Sequence, residues 1–529
     1  MRKLFVVLVL LAAVVVGALA VGTVALRHIV AQQRDAIIAS AERAVGRRLS
    51  VGELNVHILA TPSLHASALR VGEDPAFGDG TFLSADSARA HLRVWPLLRG
   101  RVVVSRLRVE RPEIQLIRNA TGIWNVSTLG SGRTAGHDAL GPATWVLGTA
   151  WAATNPTPPR SAWPVNDVEV TNGVVVLHDH GTQPPRQLRL TDLRVRLRGL
   201  SWDQPVSVAL QAGVGADAAN VHVAGSVGPL HAADGVAIDL TGDAGPFGAL
   251  RSRLTDVHLA GRLTADVVTV TALTGHGFDG AFEVVGAYSL TAPHTAQARG
   301  MVRTVAVQPL LRLAAPDVAP HFDGRADARF DLQATGRAGA DLTESLTGTI
   351  TADVHDGKLS GMNLPSEIVR RVAGVQDAGR LLSDRTRKKY GRIFSDTTTS
   401  FHTMHMSMRV GGQRVRTDDL TVEARDYGLR ARGWLAFDRR VDLDGRLHLS
   451  QQFSSDLAAD VKVLRHVLDE SGRVAVPFRL RGRLGDAYPE PDVGNLLEQT
   501  LRGLERGGSV GGLLDKLLGG KKDRKTGSN

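Results

Sequence analysis

Gly275 to Gly280 spell GHGFDG, the G-x-G-x-x-G spacing that cradles a pyrophosphate when a strand precedes it and a helix N-terminus follows. The residues after it, AFEVVGAYSL, alternate as a strand does, so the spacing predicts a hairpin turn. His178 and His180 flank Asp179 in LHDHG and would share one strand face, but no third ligand accompanies them, and a polar strand end is expected. His402, Met404, His405, Met406 and Met408 carry the soft donors that suit copper. In a strand, however, His402 and the three methionines lie on one face with His405 opposite, which reads as apolar lining. There is no G-x-S-x-G elbow, no H-E-x-x-H pair and no Walker loop ending in Lys-Ser or Lys-Thr. Asp442 and Asp444 fall on the polar side of an alternating segment and form no acid–base pair. The absence of cysteine excludes thiolate metal sites, disulfides and cysteine nucleophiles. The expectation is a protein that is not an enzyme, with no catalytic residue, no metal and no cofactor.

What the residues favour is a surface. In LRVRLRGL, Leu193, Val195 and Leu197 alternate with Arg194, Arg196 and Arg198. Val441, Leu443, Leu447 and Leu449 alternate with charged residues or His448, and Val474, Val476, Phe478 and Leu480 alternate with Ala475, Pro477, Arg479 and Arg481. Period two predicts strands with one apolar and one wet face. Gly, Asp and Asn recur between them, predicting hairpin-connected antiparallel strands. A one-sided apolar sheet must close on itself, pair as a sandwich, be covered by helices or hold something apolar, and periodicity alone does not choose. Helical segments look too few to cover it.

The 529 residues exceed what one core organises, and 57 glycines with 5% aromatics suit many strands and turns. The net charge of +10 is scattered, apart from a basic run from Lys521 to Lys525, and no groove-reading motif accompanies it, so nucleic acid is not an expected partner. Anionic lipid headgroups suit such a surface. From Leu4 to Leu26 there are 23 residues without a charge, enough to span a bilayer. Arg2 and Lys3 precede them, so a single-pass inner-membrane anchor with a cytoplasmic N-terminus and a periplasmic body is expected. The rival is a signal peptide cleaved after Ala18-Leu19-Ala20, but the apolar run outlasts that site. The expected organisation is a transmembrane segment (1–26), a membrane-proximal helix (27–48), a β unit (49–130), a Pro/Gly-rich linker (131–162), a middle β region (163–345), a further β region (346–500) with a helical insert near 364–394, and a flexible basic tail (501–529).

The first β unit resembles the opening region of the AsmA family. GRRLSVGEL is followed by LRV, a Phe before a strand, the PLLRG turn, RPEI-L and G-WN, carried by Pro96, Leu97, Leu98, Gly100, Pro112, Gly122, Trp124 and Asn125. A second stretch of resemblance runs from SLTGTITADVHDGKLSGMNL to PFRLRGRLGDAYPEPD. The resemblance extends to TamB-type bridge-like lipid-transfer proteins. It implies an elongated, twisted antiparallel sheet curled into an apolar groove, and a role in outer-membrane biogenesis and lipid homeostasis. Phospholipid would lie on Leu193, Val195, Leu197, Val441, Leu443, Val474, Val476, Phe478 and Leu480. Expected partners are membrane lipids, the inner membrane, and other envelope proteins or a second copy. The alternative is a periplasmic scaffold or regulator of outer-membrane protein assembly that binds no lipid.

Overall fold

The computed structural model describes residues 45–57, 62–93, 104–120, 122–129, 165–181, 185–216, 218–247, 252–314, 319–336, 339–361, 365–367, 383–395, 397–460, 468–483 and 488–491, with isolated positions 38, 39, 42, 363 and 465. The apolar run Leu4–Leu26, most of the membrane-proximal segment 27–48, the linker 131–162 and the tail 501–529 lie outside them, as do Pro96, Leu97, Leu98 and Gly100. Among the described residues no helix is long and apolar enough to cross a membrane.

The fold is mainly β with few helices, as the alternation predicts. The chain divides into two compact units, residues 1–277 with 281–297 and residues 278–280 with 298–529. The first contains β1 (Leu49–Ser50), β2 (Leu54–His57), β3 (Ser63–Gly72), β4 (Thr81–Leu92), β5 (Val104–Glu110), β6 (Glu113–Arg118), β7 (Asp167–Asp179), β8 (Arg186–Arg198), β9 (Val206–Val214), β10 (Val221–Val227), β11 (Val236–Ala244), β12 (Leu254–Leu263), β13 (Val267–Gly277) and nearly all of β14 (Gly280–Ser289). Among its described residues no α-helix follows residue 45. From β7 to β13 each strand runs antiparallel to the next.

One connection departs from the expected hairpin meander. β7 runs parallel to both β5 and β6, pairing Leu107 with Val168 and Ile114 with Val175. The two shorter strands both lie antiparallel to β4, so they form one interrupted line. The interruption is Arg111, with φ of 48°, and Pro112, which has no N–H to give the ladder. Backbone bonds still bridge it: Arg111 N donates to Thr171 O and Val174 N to Pro112 O.

The second unit contains most of β15 (His294–Ala306), α1 (Val307–Ala314), β16 (Phe322–Gly336), α2 (Gly339–Glu344), β17 (Thr347–Ser360), α3 (Asp384–Ser395), β18 (Thr398–Gly411), β19 (Arg414–Glu423), β20 (Tyr427–Ala436), β21 (Arg440–Leu449), α4 (Gln451–Asp460), β22 (Ala475–Arg483) and β23 (Tyr488–Pro491). From β16 to β23 the strands pair antiparallel in chain order. The helical insert expected near 364–394 contains α3, but α4 was not anticipated. It starts where Ser450 Oγ accepts the N–H of Phe453, 3.3 Å away, an N-cap bond. Its buried Ser454 Oγ accepts the N–H of Val474 at 2.9 Å, fixing the helix to the start of β22.

Candidate functional site

The strand registers sort the side chains of each unit into two surfaces. In the first unit Leu197, Val208, Gly225, Leu240, Leu259 and Leu273 stand opposite one another across β8 to β13. All are half-buried. Val195 lies in the next row with Leu210 and Val223 and is half-buried too. Leu193 is deeper, in a cluster with Val175 and Ala212 against which Ile114, Leu116 and Leu190 pack. Arg194, Arg196 and Arg198 are exposed, so the predicted alternation holds. On the wet surface Glu169 is held between Arg108 at 2.7 Å and Arg196 at 3.1 Å, and these bonds, led by Arg108, keep its carboxyl below the usual range.

In the second unit the same face has two parts. One row reads Leu480, Leu443, Gly433, Thr417, Met408, Ile350, Phe330 from β22 to β16, every member half-buried. A parallel row, four residues along each strand and five along β19, where the register shifts, reads Val476, Leu447, Leu429, Val422, Met404, Val354, Ala326. There Val476 and Leu447 are fully buried, and Leu429, Val354 and Ala326 nearly so. The difference is cover. Phe453 and Leu457 of α4 and Tyr390 of α3 close over Leu447, Leu449, Val474, Val476 and Phe478 in one core. Tyr390 stacks on Phe453 at 4.2 Å, and its hydroxyl and Lys389 Nζ both reach Asp456, at 2.9 and 2.8 Å. Lys389 is the main reason that the Asp456 carboxyl sits below its usual range. A second core joins Val305, Ala326, Val354 and Phe401, with Val307 and Leu310 of α1 packed on it.

The candidate lining therefore separates into two sets. Val474, Val476 and Phe478 are sealed interior under helices, with Ala475 and Pro477, expected on the wet side, buried as well. Val441 is also buried, at 5% exposure, whereas Leu443 and Leu480 are half-buried, Leu480 packing against the edge of the helix-covered core. Met406 and Met408 are half-buried on the apolar face and His405 lies opposite, against Asp353 at 2.6 Å. His178 Nε2 bonds Gln115 Oε1 at 3.0 Å, and among the described residues no three His, Asp or Glu side chains are placed to hold a metal ion. Gly275–Gly280 ends β13 and starts β14 around Phe278 and Asp279, whose φ angles of 55° and 61° suit a type I′ turn; no helix follows.

Pro112 lies at the break between β5 and β6, Trp124 forms an isolated bridge with Arg118, and Gly122 and Asn125 belong to a buried node. Asn125 is fully buried: its amide donates to Gln115 O at 2.9 Å and Glu73 Oε2 at 2.6 Å, and its Oδ1 accepts the N–H of Ile117 at 3.0 Å. Arg47, 3% exposed, pairs with Glu73 at 2.8 Å, reaches Asn125 O and stacks over Phe82. Burial lowers the proton affinity of its guanidinium, and Glu73 opposes that shift. Sequence patterning gave no sign of Arg47 and Glu73, because a buried ion pair interrupts alternation without leaving a period of its own. Gly122, with φ of 88°, makes the turn that returns the chain to this node.

No curated protein and no solved structure matches the chain. The model of the AsmA family matches residues 1–222, a span running into β10 that contains the Arg47–Glu73–Asn125 node.

Proposed function

We propose that this protein handles phospholipid in the cell envelope, with acyl chains lying on the uncovered apolar faces of its β units. The observation that carries the reading is the row from Leu480 to Phe330: half-buried residues, apolar but for Gly433 and Thr417, on consecutive strands whose opposite face is ionic. That opposite face bears Arg481–Asp442 at 3.1 Å, Arg479–Asp444 at 3.2 Å and Arg299–Asp331 at 2.7 Å, so the sheet is amphipathic across its thickness. Each methylene taken from water gains about 0.8 kcal/mol, so a full acyl chain is worth on the order of 10 kcal/mol before ordering costs. Leu4–Leu26 would anchor the chain in the inner membrane with its N-terminus cytoplasmic and its body periplasmic. The match of residues 1–222 to the AsmA family model supports a role in outer-membrane biogenesis and lipid homeostasis, in the manner of bridge-like transfer proteins. No covalent step and no cofactor are needed.

Mass spectrometry of lipid retained by the detergent-extracted full chain tests this. Val195→Glu and Leu480→Glu are expected to abolish retention, because an unpaired carboxylate among acyl chains is costly. Arg196→Gln and Arg481→Gln are expected to leave it unchanged. Equal lipid in all four folded variants would reject the lipid reading in favour of a scaffold.

A further inference from the structure

Much of the wet face of the second unit is neutralised pair by pair, but the patch around Arg430 and Arg446 is not. Arg430 of β20 and Arg446 of β21 are directly opposite in register, and Arg432 lies two residues further along β20. Like charges so placed repel across the strands. All three are exposed and line one hollow of about 600 Å³. The acidic residues of that hollow have other bonded partners: Asp444, although opposite Arg432 in register, bonds Arg479 at 3.2 Å on the hollow's rim, Asp418 pairs with Arg409, and Asp419 accepts the N–H of Ser407 at 2.7 Å and lies near His405. Among the described residues Arg430, Arg432 and Arg446 have no ion pair and no side-chain hydrogen bond. The field of the patch is felt next door, where burial first, and then Arg446, Arg430 and Arg473, lower the proton affinity of His448 despite Asp469 at 3.9 Å.

We propose that Arg430, Arg446 and Arg432 form a binding site for a phosphate-bearing anion, on the face of the sheet opposite the apolar row. Guanidinium forks match phosphate oxygens two at a time, and an anion between Arg430 and Arg446 would turn a repulsive cross-strand pair into an attractive one. The phosphate can belong to an anionic lipid headgroup or to a soluble phosphate ester. The site stands independently of acyl-chain binding, because it uses the other face.

Titration calorimetry of the full chain in a non-ionic detergent tests it, with glycerol phosphate and dihexanoyl phosphatidylglycerol as separate probes. Binding of the lipid alone assigns a headgroup site, and comparable binding of both assigns a general phosphoester site. Arg430→Gln with Arg446→Gln is expected to weaken binding at least about tenfold, the loss of charge-assisted bonds, while Arg481→Gln, whose arginine is paired with Asp442, leaves it unchanged. Without any anion the double variant should melt no lower than the parent, since it removes a repulsion; a merely structural role for these arginines predicts a lower melting temperature. The proposal is overturned if neither probe binds, if the double variant and Arg481→Gln bind alike, or if the double variant melts lower with no change in binding.

Discussion

Leu443 and Leu447 lie on one face of one strand, four residues apart, yet they occupy different worlds. Leu447 is fully buried beneath Phe453 and Leu457, while Leu443, between Leu480 and Gly433, is half-buried and is not part of that core. Alternation is the same for both. What differs is whether α4 and α3 reach that far along the strands, and so a strand pattern defines an apolar face without saying what covers it.

The comparison breaks most severely at the cover itself. Phe453→Ala empties a fully buried site and is expected to cost about 4 kcal/mol in denaturant unfolding, while raising binding of an apolar dye as the sealed row opens. Next, Leu447→Ala should cost about 3 kcal/mol. The matched change Leu443→Ala should cost about 1 kcal/mol, for its side chain is already partly in water. Equal costs at the two positions would mean that the uncovered row is covered after all. Between these lies Gly433→Ala: with φ of 148°, a Cβ there would sit 2.1 Å from the carbonyl oxygen of Asp442. It should cost more than about 1 kcal/mol although no apolar contact is lost.

The smallest expected effect is on pH. The folded state depresses the proton affinity of His448 below the usual imidazole value of 6.5, so the unfolded chain takes up the proton first as pH falls. The corresponding stability is fully present above pH 6.5 and is lost as pH drops through the lower folded value. Unfolding curves at pH 7 and pH 5 should differ by more in the parent than in His448→Gln.

Much of this was legible in the residues. The strict alternation at Leu193–Leu197 defined both faces of β8, whereas Asn125 was legible only as a motif residue, because its partner Glu73 lies far away in the chain. The sealed row was misread because α4 hides well. Its apolar anchors Phe453 and Leu457 are separated by polar residues, and only Ser450, an N-cap preceding Phe453 by three positions, signals the start. Two-sided burial at Val474–Phe478 was likewise invisible, for Ala475 and Pro477 break no alternation between large apolar residues. The parallel β7 was hidden by distance, since pairing across a long connection leaves no local signature.

That parallel strand also bears on how the molecule assembles. Every strand from β8 to β13 docks on one finished just before it, through a short closure. β7 must wait for the chain from residue 119 to residue 166 to be made, and closing that span costs roughly 2 kcal/mol more than a tight hairpin. With the Arg47–Glu73–Asn125 node already set beside β6, the first six strands can offer a preformed edge to which β7 adds. The rate-limiting step for the first unit is then expected to be the capture of β7, a slow non-local event after which the remaining strands follow in order.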